Sequence, residues 1–461
     1  MPSDLGTEQR PLRVAVVGSG PSGFYAAEAL CKSDVHVKID MFDRLPAPFG
    51  LVRYGVAPDH QKIKNVIRVY EKTAARDEVS FYGNVGVGED ISVADMRKYY
   101  DAILFTVGAA SDRRLGIDGE DLPGSYTATE FVAWYNGHPD YRDRRFDLSQ
   151  EVAVIIGQGN VAMDVSRILC KSVDELSKTD IARHALEALA ESRIKEVHMI
   201  GRRGPAQAAF TPVEIREFGE LESCVPVFAN PDDLSLSPAS QAELEDPRNA
   251  PKKKNYEILR GFRDLDSGSA ARKFYIHFFQ SPTALLSDGG DRVARLELER
   301  NELTGDPGKQ KAQGTGGKSV MPCGILFRSV GYRGLPIEGV PFHEQWGVFP
   351  NEGGRIQDDG QTATGLYTAG WIKRGPSGVI GTNKPDAEET VGNLLADIGS
   401  LVPCSQPDSA AMEADLSSRN IRYIRFEDWK KIDAAEVANG EAVGKIREKF
   451  VSVDEMLAAV S

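Results

Sequence analysis

Leu12-Arg13-Val14-Ala15-Val16-Val17-Gly18-Ser19-Gly20-Pro21-Ser22-Gly23 is the stretch that decides how this chain is read. An apolar, strand-like run closes on a Gly-x-Gly-x-x-Gly turn, and a helical stretch follows. The first glycine permits a tight bend, and the second lets backbone approach a pyrophosphate. The third position must be small where helix meets strand. The helix N-terminus then offers unpaired N–H groups and partial positive charge to the phosphates. One such turn is weak evidence, because glycine-rich turns are common. Here the pattern recurs: Val152-Ala153-Val154-Ile155-Ile156 runs into Gly157-Gln158-Gly159-Asn160-Val161-Ala162, with alanine in the third slot. Two strand–turn–helix units predict two dinucleotide sites, and hence an α/β protein with two Rossmann-like domains.

The charge that follows each unit separates the two ligands. After the first turn the strand-like Val37-Lys38-Ile39-Asp40-Met41-Phe42 ends in Asp43, about 20 residues beyond Gly23. A carboxylate there accepts hydrogen bonds from ribose hydroxyls and repels a 2′-phosphate, so FAD or NAD fits and NADP does not. After the second turn, Glu196-Val197-His198-Met199-Ile200 runs into Gly201-Arg202-Arg203-Gly204. Two guanidiniums offer paired donors to a phosphate dianion, which favours NADPH. The second crossover is longer than usual, with a helical insertion near residues 172–192.

Composition bounds the remaining possibilities. The chain has 461 residues, 41% of them apolar and 27% charged. That length exceeds what one hydrophobic core usually supports, so two domains are expected. No apolar run approaches the roughly 20 residues that cross a bilayer. The first ten residues read as neither a secretory signal nor a transit peptide, and a cytoplasmic location without membrane insertion is expected. The net charge of −13 argues against nucleic acid as a partner. One local exception is the basic stretch Lys252, Lys253, Lys254, Arg260 and Arg263, which could steer an acidic macromolecule. Five scattered cysteines form no CxxC, and seven histidines show no metal-ligand spacing, so neither a thiol redox pair nor a metal is expected.

Along the chain, the Pro- and Gly-rich residues 45–55 read as irregular, and residues 61–75 read as helical. Asp101–Gly108 reads as a buried strand ending in glycine. The polar run from Arg113 to Gly124 suits a crossing between domains. Residues 235–254 and 304–318 read as surface loops. A strand from Gly324 to Gly331 is expected to resume the first domain. Gly365–Trp371 gives another strand, and residues 386–398 another helix. Residues 405–420 read as a polar linker, followed by amphipathic segments.

Four stretches are more specific than the glycine turns: Leu51-Val52-Arg53-Tyr54-Gly55-Val56-Ala57-Pro58-Asp59-His60, Gly157–Ala162, Gly201-Arg202-Arg203-Gly204-Pro205, and Gly370-Trp371-Ile372-Lys373-Arg374-Gly375-Pro376. With them the chain resembles the adrenodoxin-reductase-like ferredoxin–NADP⁺ reductases, in particular the actinobacterial FprA type, over roughly residues 12–460. The resemblance implies a glutathione-reductase-like fold, with an NADP domain (112–323) inserted in an FAD domain (1–111 and 324–461). It implies non-covalent FAD, oxidation of NADPH, and one-electron delivery to a ferredoxin-type iron–sulfur protein, with the basic stretch as the expected docking face. FAD would be held by Gly18, Gly20, Ser22, Gly23, Asp43, Leu51, Val87, Trp371, Gly378, Val379 and Ile380. Leu51 and Val87 would wall the flavin, and Gly378 would open a helix facing it and leave room for the nicotinamide. NADP would be held by Arg113, Gln158, Gly159, Asn160, Val161, Arg202, Arg203, Glu214 and Gly378. His60 and Glu214 are the residues expected to orient the nicotinamide. A disulfide reductase of the thioredoxin-reductase kind is disfavoured by the missing CxxC, and a flavin monooxygenase lacks any substrate-pocket signature. A flavin-bearing subunit of a larger complex and a non-catalytic NADPH sensor are the readings from other classes.

Overall fold

The computed structural model describes residues 4–265, 268 and 270–460. The chain divides into two compact units. One comprises Met1–Val56, His60–Ser111 and Gly331–Ser461; the other comprises Ala57–Asp59 and Asp112–Val330. In chain order, the second unit is therefore an insertion in the first.

The first unit is built on a sheet ordered Asn351–Glu352, Arg355–Asp358, Gln361–Thr368, Ala102–Phe105, Leu12–Val17, Val37–Asp43, Val79–Gly83. The five strands from Gln361–Thr368 onward are parallel, and the other two form an antiparallel edge. Successive side chains leave a strand on opposite faces. Val14, Val16, Ile39, Met41, Phe81 and Leu104 accordingly enter one core, while Ala15, Val17, Phe42, Tyr82, Ile103 and Phe105 enter another. Burial on both faces explains why these strands read as continuous apolar runs.

The second unit repeats the plan with the parallel sheet Ser125–Thr127, Ile325–Arg328, Val152–Ile156, Glu196–Ile200, Arg272–His277, Cys224–Phe228. A separate antiparallel sheet is formed by Gln280–Leu286, Arg295–Thr304 and Lys311–Pro322.

Several expectations are corrected. The strand Ile325–Arg328 pairs with Val152–Ile156 and so closes the second sheet instead of resuming the first domain. A buried parallel strand looks the same whichever sheet it joins, since pairing is non-local. Within residues 235–254 lie the helix Pro238–Glu245 and the start of the helix Ala250–Phe262. The first of these has Ser237 as its N-cap and proline in its first turn. Residues 304–318 are largely strand: Lys311–Pro322 is exposed on both faces and held by its ladder to Arg295–Thr304, so it shows no alternation. Part of the supposed linker forms the helix Ser409–Ser418. The stretch 61–75 is two short helices, Gln61–Lys64 and Ile67–Ala74. Among the described residues, no helix is long and apolar enough to cross a membrane.

Candidate dinucleotide sites

In the first unit, the Gly18 N–H donates to the Phe42 carbonyl at 2.8 Å, so the turn leaves its strand level with the end of the neighbouring one. Gly18 has φ +107, and a Cβ there would lie 2.7 Å from the Thr106 carbonyl oxygen. A Cβ on Gly23 would overlap the Gly18 carbonyl oxygen, so helix and strand meet backbone to backbone. At Gly20 a Cβ would meet nothing within 4 Å. That bare, open backbone at the N-terminus of the helix Pro21–Cys31 is the cradle a pyrophosphate needs. Leu51 and Val107 are both more than one third exposed. Each is joined to a residue packed on the turn: a Cβ on Gly50 would stand 3.1 Å from the Gly20 Cα, and Thr106 Oγ1 donates to the Gly18 carbonyl at 2.7 Å. Exposed apolar side chains beside a phosphate cradle suit an aromatic ring system attached to a dinucleotide.

Asp43 ends the strand Val37–Asp43, where the sequence places it. Its carboxylate accepts from the Ser19 N–H at 3.1 Å, from Ser19 Oγ at 2.5 Å and from the Leu45 N–H at 3.0 Å. Two of its roughly four acceptor positions thus hold the glycine turn and a third holds the Leu45 N–H, leaving one for a ribose hydroxyl. Burial pushes the Asp43 carboxyl above the ordinary range, against the lowering effect of these hydrogen bonds. The neighbouring Phe49 sits at φ +83 and donates its N–H to the Ser19 carbonyl at 2.9 Å. Positive φ is strained for a bulky residue and persists where surrounding contacts over-determine it.

The remaining candidates of this unit divide into two groups. Ser22 donates to Asn383 Oδ1 at 3.1 Å, and Gly370 (φ +81) packs so closely on Ser22 that a Cβ would overlap its hydroxyl. Trp371, half-buried, opens the short helix Trp371–Arg374 and lies 5.2 Å from the Tyr332 ring. Gly378, Val379 and Ile380 do not open a helix directly. A 3₁₀ turn, Ile380–Thr382, intervenes, and the helix runs from Asn383 to Ala396. Gly378 is at φ +81, and a Cβ would overlap Thr382 Oγ1, so local turn geometry already demands glycine. Val87 is half-buried in an isolated bridge to Ile91. His60 is half-buried at the start of the helix Gln61–Lys64.

In the second unit the Gly157 N–H donates to the Ile200 carbonyl at 2.9 Å, the same bond that joins Gly18 to Phe42. Gly157 is at φ +132, and a Cβ would overlap the Ser329 carbonyl oxygen; Gly159 opens on empty space. The helix Asn160–Cys170 follows. Gln158 and Asn160 are in the turn, but their side chains bind protein. Gln158 Nε2 donates to the His277 carbonyl at 3.0 Å, and Asn160 Oδ1 accepts from the Thr211 N–H at 2.8 Å. Val161 is half-buried in the first turn of that helix. Arg202 is exposed and Arg203 half-exposed; among the described residues, neither guanidinium is engaged in an ion pair. Two unpaired guanidiniums beyond an open glycine turn fit a dinucleotide carrying an extra phosphate. Arg113 is exposed just after the strand Ser111–Asp112.

Glu214, 5% exposed in the helix Pro212–Glu217, belongs to a cluster that sequence reasoning missed. Its centre is Arg167, fully buried on the helix Asn160–Cys170. Arg167 donates to both oxygens of Asp59 (2.8 and 3.0 Å), to Asp164 (2.7 Å) and to Glu214 (2.9 Å), with Glu217 at 3.3 Å. Burial raises the Asp59 pKa, but Arg167 and Lys171 outweigh it and hold that carboxyl well below its usual range. Removing one partner of such a buried network costs about 3–5 kcal/mol, because the remaining charges are left uncompensated. The network's one local signal is the i,i+3 spacing of Asp164 and Arg167 on a single helix; the other partners come from distant parts of the chain.

Two matching glycine turns, one followed by an acid and the other by unpaired cations, define a two-dinucleotide α/β protein. A family model described as an NAD(P)-binding Rossmann-like domain matches residues 16–79. The chain is 44% identical to the NADPH-ferredoxin reductase FprA of Mycobacterium tuberculosis, covering 97% of this chain and 99% of that one. It is 42% identical to the mitochondrial NADPH:adrenodoxin oxidoreductase of Arabidopsis thaliana, over 98% and 96%. The solved structure of M. tuberculosis FprA in complex with NADPH superposes with a TM-score of 0.91 at 43% identity, covering 98% of this chain and 100% of that one. The chain belongs to the family of the FprA-type NADPH-ferredoxin reductases and NADPH:adrenodoxin oxidoreductases.

Proposed function

We infer that this protein is an FAD-dependent NADPH:ferredoxin oxidoreductase, which takes hydride from NADPH and passes single electrons to a small iron–sulfur protein. The observation that carries this reading is the inverted charge after two equivalent turns, Asp43 in one and Arg202-Arg203 in the other, within this family. FAD is assigned to Gly18, Gly20, Ser22, Gly23 and Asp43, with Leu51, Val87, Trp371 and Gly378–Ile380 toward the ring. NADPH is assigned to Arg113, the Gln158–Val161 turn, Arg202, Arg203 and Gly378. When bound, FAD supplies the exchange between two-electron and one-electron chemistry that no side chain offers.

The chain's own residues bind, orient and exclude water. Asp43 repels a 2′-phosphate, whereas Arg202 and Arg203 attract one. Exposed Leu51 and Val107 provide apolar surface that sheds water from the ring system. His60 and Glu214 are assigned to orienting the nicotinamide, with Arg167 fixing the Glu214 carboxylate. Hydride transfer needs no protein acid or base; it depends on holding the reacting atoms in near-attack geometry.

The iron–sulfur partner is assigned to the exposed basic face of the helix Ala250–Phe262. Lys252 has a different role there, since its ammonium pairs with buried Glu243 at 2.6 Å. Lys253, Lys254, Arg260 and Arg263 are exposed and remain as the docking charges.

Anaerobic titration of the purified protein with NADPH should bleach its flavin absorbance, and added ferredoxin should restore it. The Arg202→Ala/Arg203→Ala double variant should lose about 100-fold or more in kcat/KM for NADPH, mostly through KM, with NADH little changed, because the 2′-phosphate is remote from the reacting atoms. Full retention of NADPH preference in that variant would refute the assignment.

A further inference from the structure

The arginine loop is bound on its backbone as well as displayed by its side chains. The Gly201 carbonyl accepts from the Gln280 N–H at 3.0 Å, the Arg203 carbonyl from the Phe279 N–H at 3.1 Å, and the Arg202 carbonyl from Asn301 Nδ2 at 2.9 Å. Two of these donors are main chain, at the end of one strand. The third is a side chain, and it comes from a different strand.

Asn301 is 6% exposed on Arg295–Thr304, with both amide hydrogens engaged: one on Arg202, the other on Ser281 Oγ at 2.8 Å. Its backbone N–H donates to the Phe279 carbonyl at 2.7 Å. Phe279 is at φ +55, a strained conformation for an aromatic residue. Its ring lies 5.1 Å from the Arg300 guanidinium carbon and so close to Gly204 that a Cβ there would stand 2.5 Å away. The ladder between Asn301 and its partner strand is irregular at this point: pairing jumps from Glu299↔Lys318 to Asn301↔Gly314. Bulges re-aim side chains, often beside functional sites. The strained phenylalanine, the bulge and the doubly bonded amide all converge on the two residues that carry the unpaired guanidiniums.

We propose that Asn301 is a positioning residue for recognition of the 2′-phosphate, fixing the Arg202 carbonyl so that the Arg202-Arg203 backbone presents both guanidiniums together. It touches no ligand and acts through Arg202. Losing its donor frees the loop to turn that carbonyl toward water, and the paired cations lose their common orientation. The proposal rests on the assignment of Arg202 and Arg203 to the phosphate.

The test uses the flavin-loaded enzyme with ferricyanide as acceptor, so that ferredoxin docking does not enter. Asn301→Ala should raise KM for NADPH about tenfold, with kcat within twofold. KM for NADH, which lacks the phosphate, should stay within twofold. Ser281→Ala, which loosens the same amide without removing its bond to Arg202, should shift KM for NADPH two- to threefold in the same direction. Equal rises for both nucleotides in either variant would mean general loosening of the unit, and no change would mean no role; either result overturns the proposal. Should Asn301→Ala not accumulate as folded protein, binding of 2′,5′-ADP to Ser281→Ala decides, weakened if the proposal holds and unchanged if it fails. The Arg202→Ala/Arg203→Ala variant separates the two levels: if it keeps NADPH preference, the phosphate assignment fails, and if it alone loses preference, only the role of Asn301 fails.

Discussion

The two glycine turns follow the same plan through their first two glycines and differ afterwards. Each leaves its strand with the same backbone bond, Gly18 to Phe42 and Gly157 to Ile200, so Asp43 and Gly201 occupy equivalent positions, as do Ser19 and Gln158. In the first turn Ser19 donates twice to Asp43, and turn and acid are one hydrogen-bonded unit. In the second, the Gln158 side chain fills the space over Gly201, where a Cβ would overlap it. The glutamine thus occupies the room in which a carboxylate would stand, and no acid equivalent to Asp43 can face a ribose there. The third positions also differ. Gly23 has no room for a Cβ, whereas Ala162 already carries one and is fully buried.

That last difference gives the largest expected effect. Gly23→Ala drives a methyl into the Gly18 carbonyl, and backbone cannot step aside cheaply. The variant should purify with little or no flavin, read from its visible absorbance against protein concentration. The mirror change Ala162→Gly should only loosen a helix, costing about 0.5–1 kcal/mol in urea unfolding, with NADPH turnover retained. If Gly23→Ala binds FAD at full stoichiometry, the close meeting of helix and strand is not what the first turn requires.

The second experiment attempts to turn one site into the other. Gly201→Asp alone should lose NADPH activity without gaining NADH activity, because the new side chain collides with Gln158. Adding Gln158→Ser recreates the Ser19–Asp43 arrangement. The double variant should then shift the ratio of kcat/KM for NADH over NADPH by about 10- to 100-fold relative to the parent. If the single and double variants behave alike, Gln158 is not what keeps an acid out.

Much of this was legible in the sequence, and the rest failed for identifiable reasons. The glycine turns, Asp43 and Arg202-Arg203 are contiguous motifs whose chemistry follows from local spacing, and the structure places each at the end of its strand. What stayed hidden depends on residues distant in the chain. Asn301 meets Arg202 across 99 positions, and Arg167 meets Asp59 across 108. The strand Ile325–Arg328 was visible as a strand, but its sheet is chosen by partners far away in sequence. The exposed strand Lys311–Pro322 shows no alternation because neither face is buried. The long-range bonds of the second turn were hidden as well: Gln158 reaches the His277 carbonyl and Asn160 the Thr211 N–H.

Acid should separate the two turns by the smallest of these effects. Beneath the second turn, His277 Nε2 lies 2.9 Å from His198 Nδ1, while the His277 carbonyl accepts from both Gly201 and Gln158. Burial, with the neighbouring His198, pushes the His277 pKa down to about 3. An unfolded histidine titrates near 6.5, so between these values the unfolded chain binds more protons and stability falls as pH falls. From pH 7 to pH 5 this one group should remove about 2 kcal/mol from the second unit. Asp43 has the opposite sign. Its carboxyl is raised by burial, so the native state takes up its proton first, and acid does not weaken the first turn through this group. Urea unfolding from pH 7 to pH 5, followed by flavin absorbance and by 2′,5′-ADP binding, should show nucleotide binding lost at lower denaturant while FAD stays bound. His277→Gln should flatten the pH slope of the first transition. A slope unchanged by that substitution would place the acid sensitivity elsewhere, and the two turns would then differ in charge and packing but not in their response to protons.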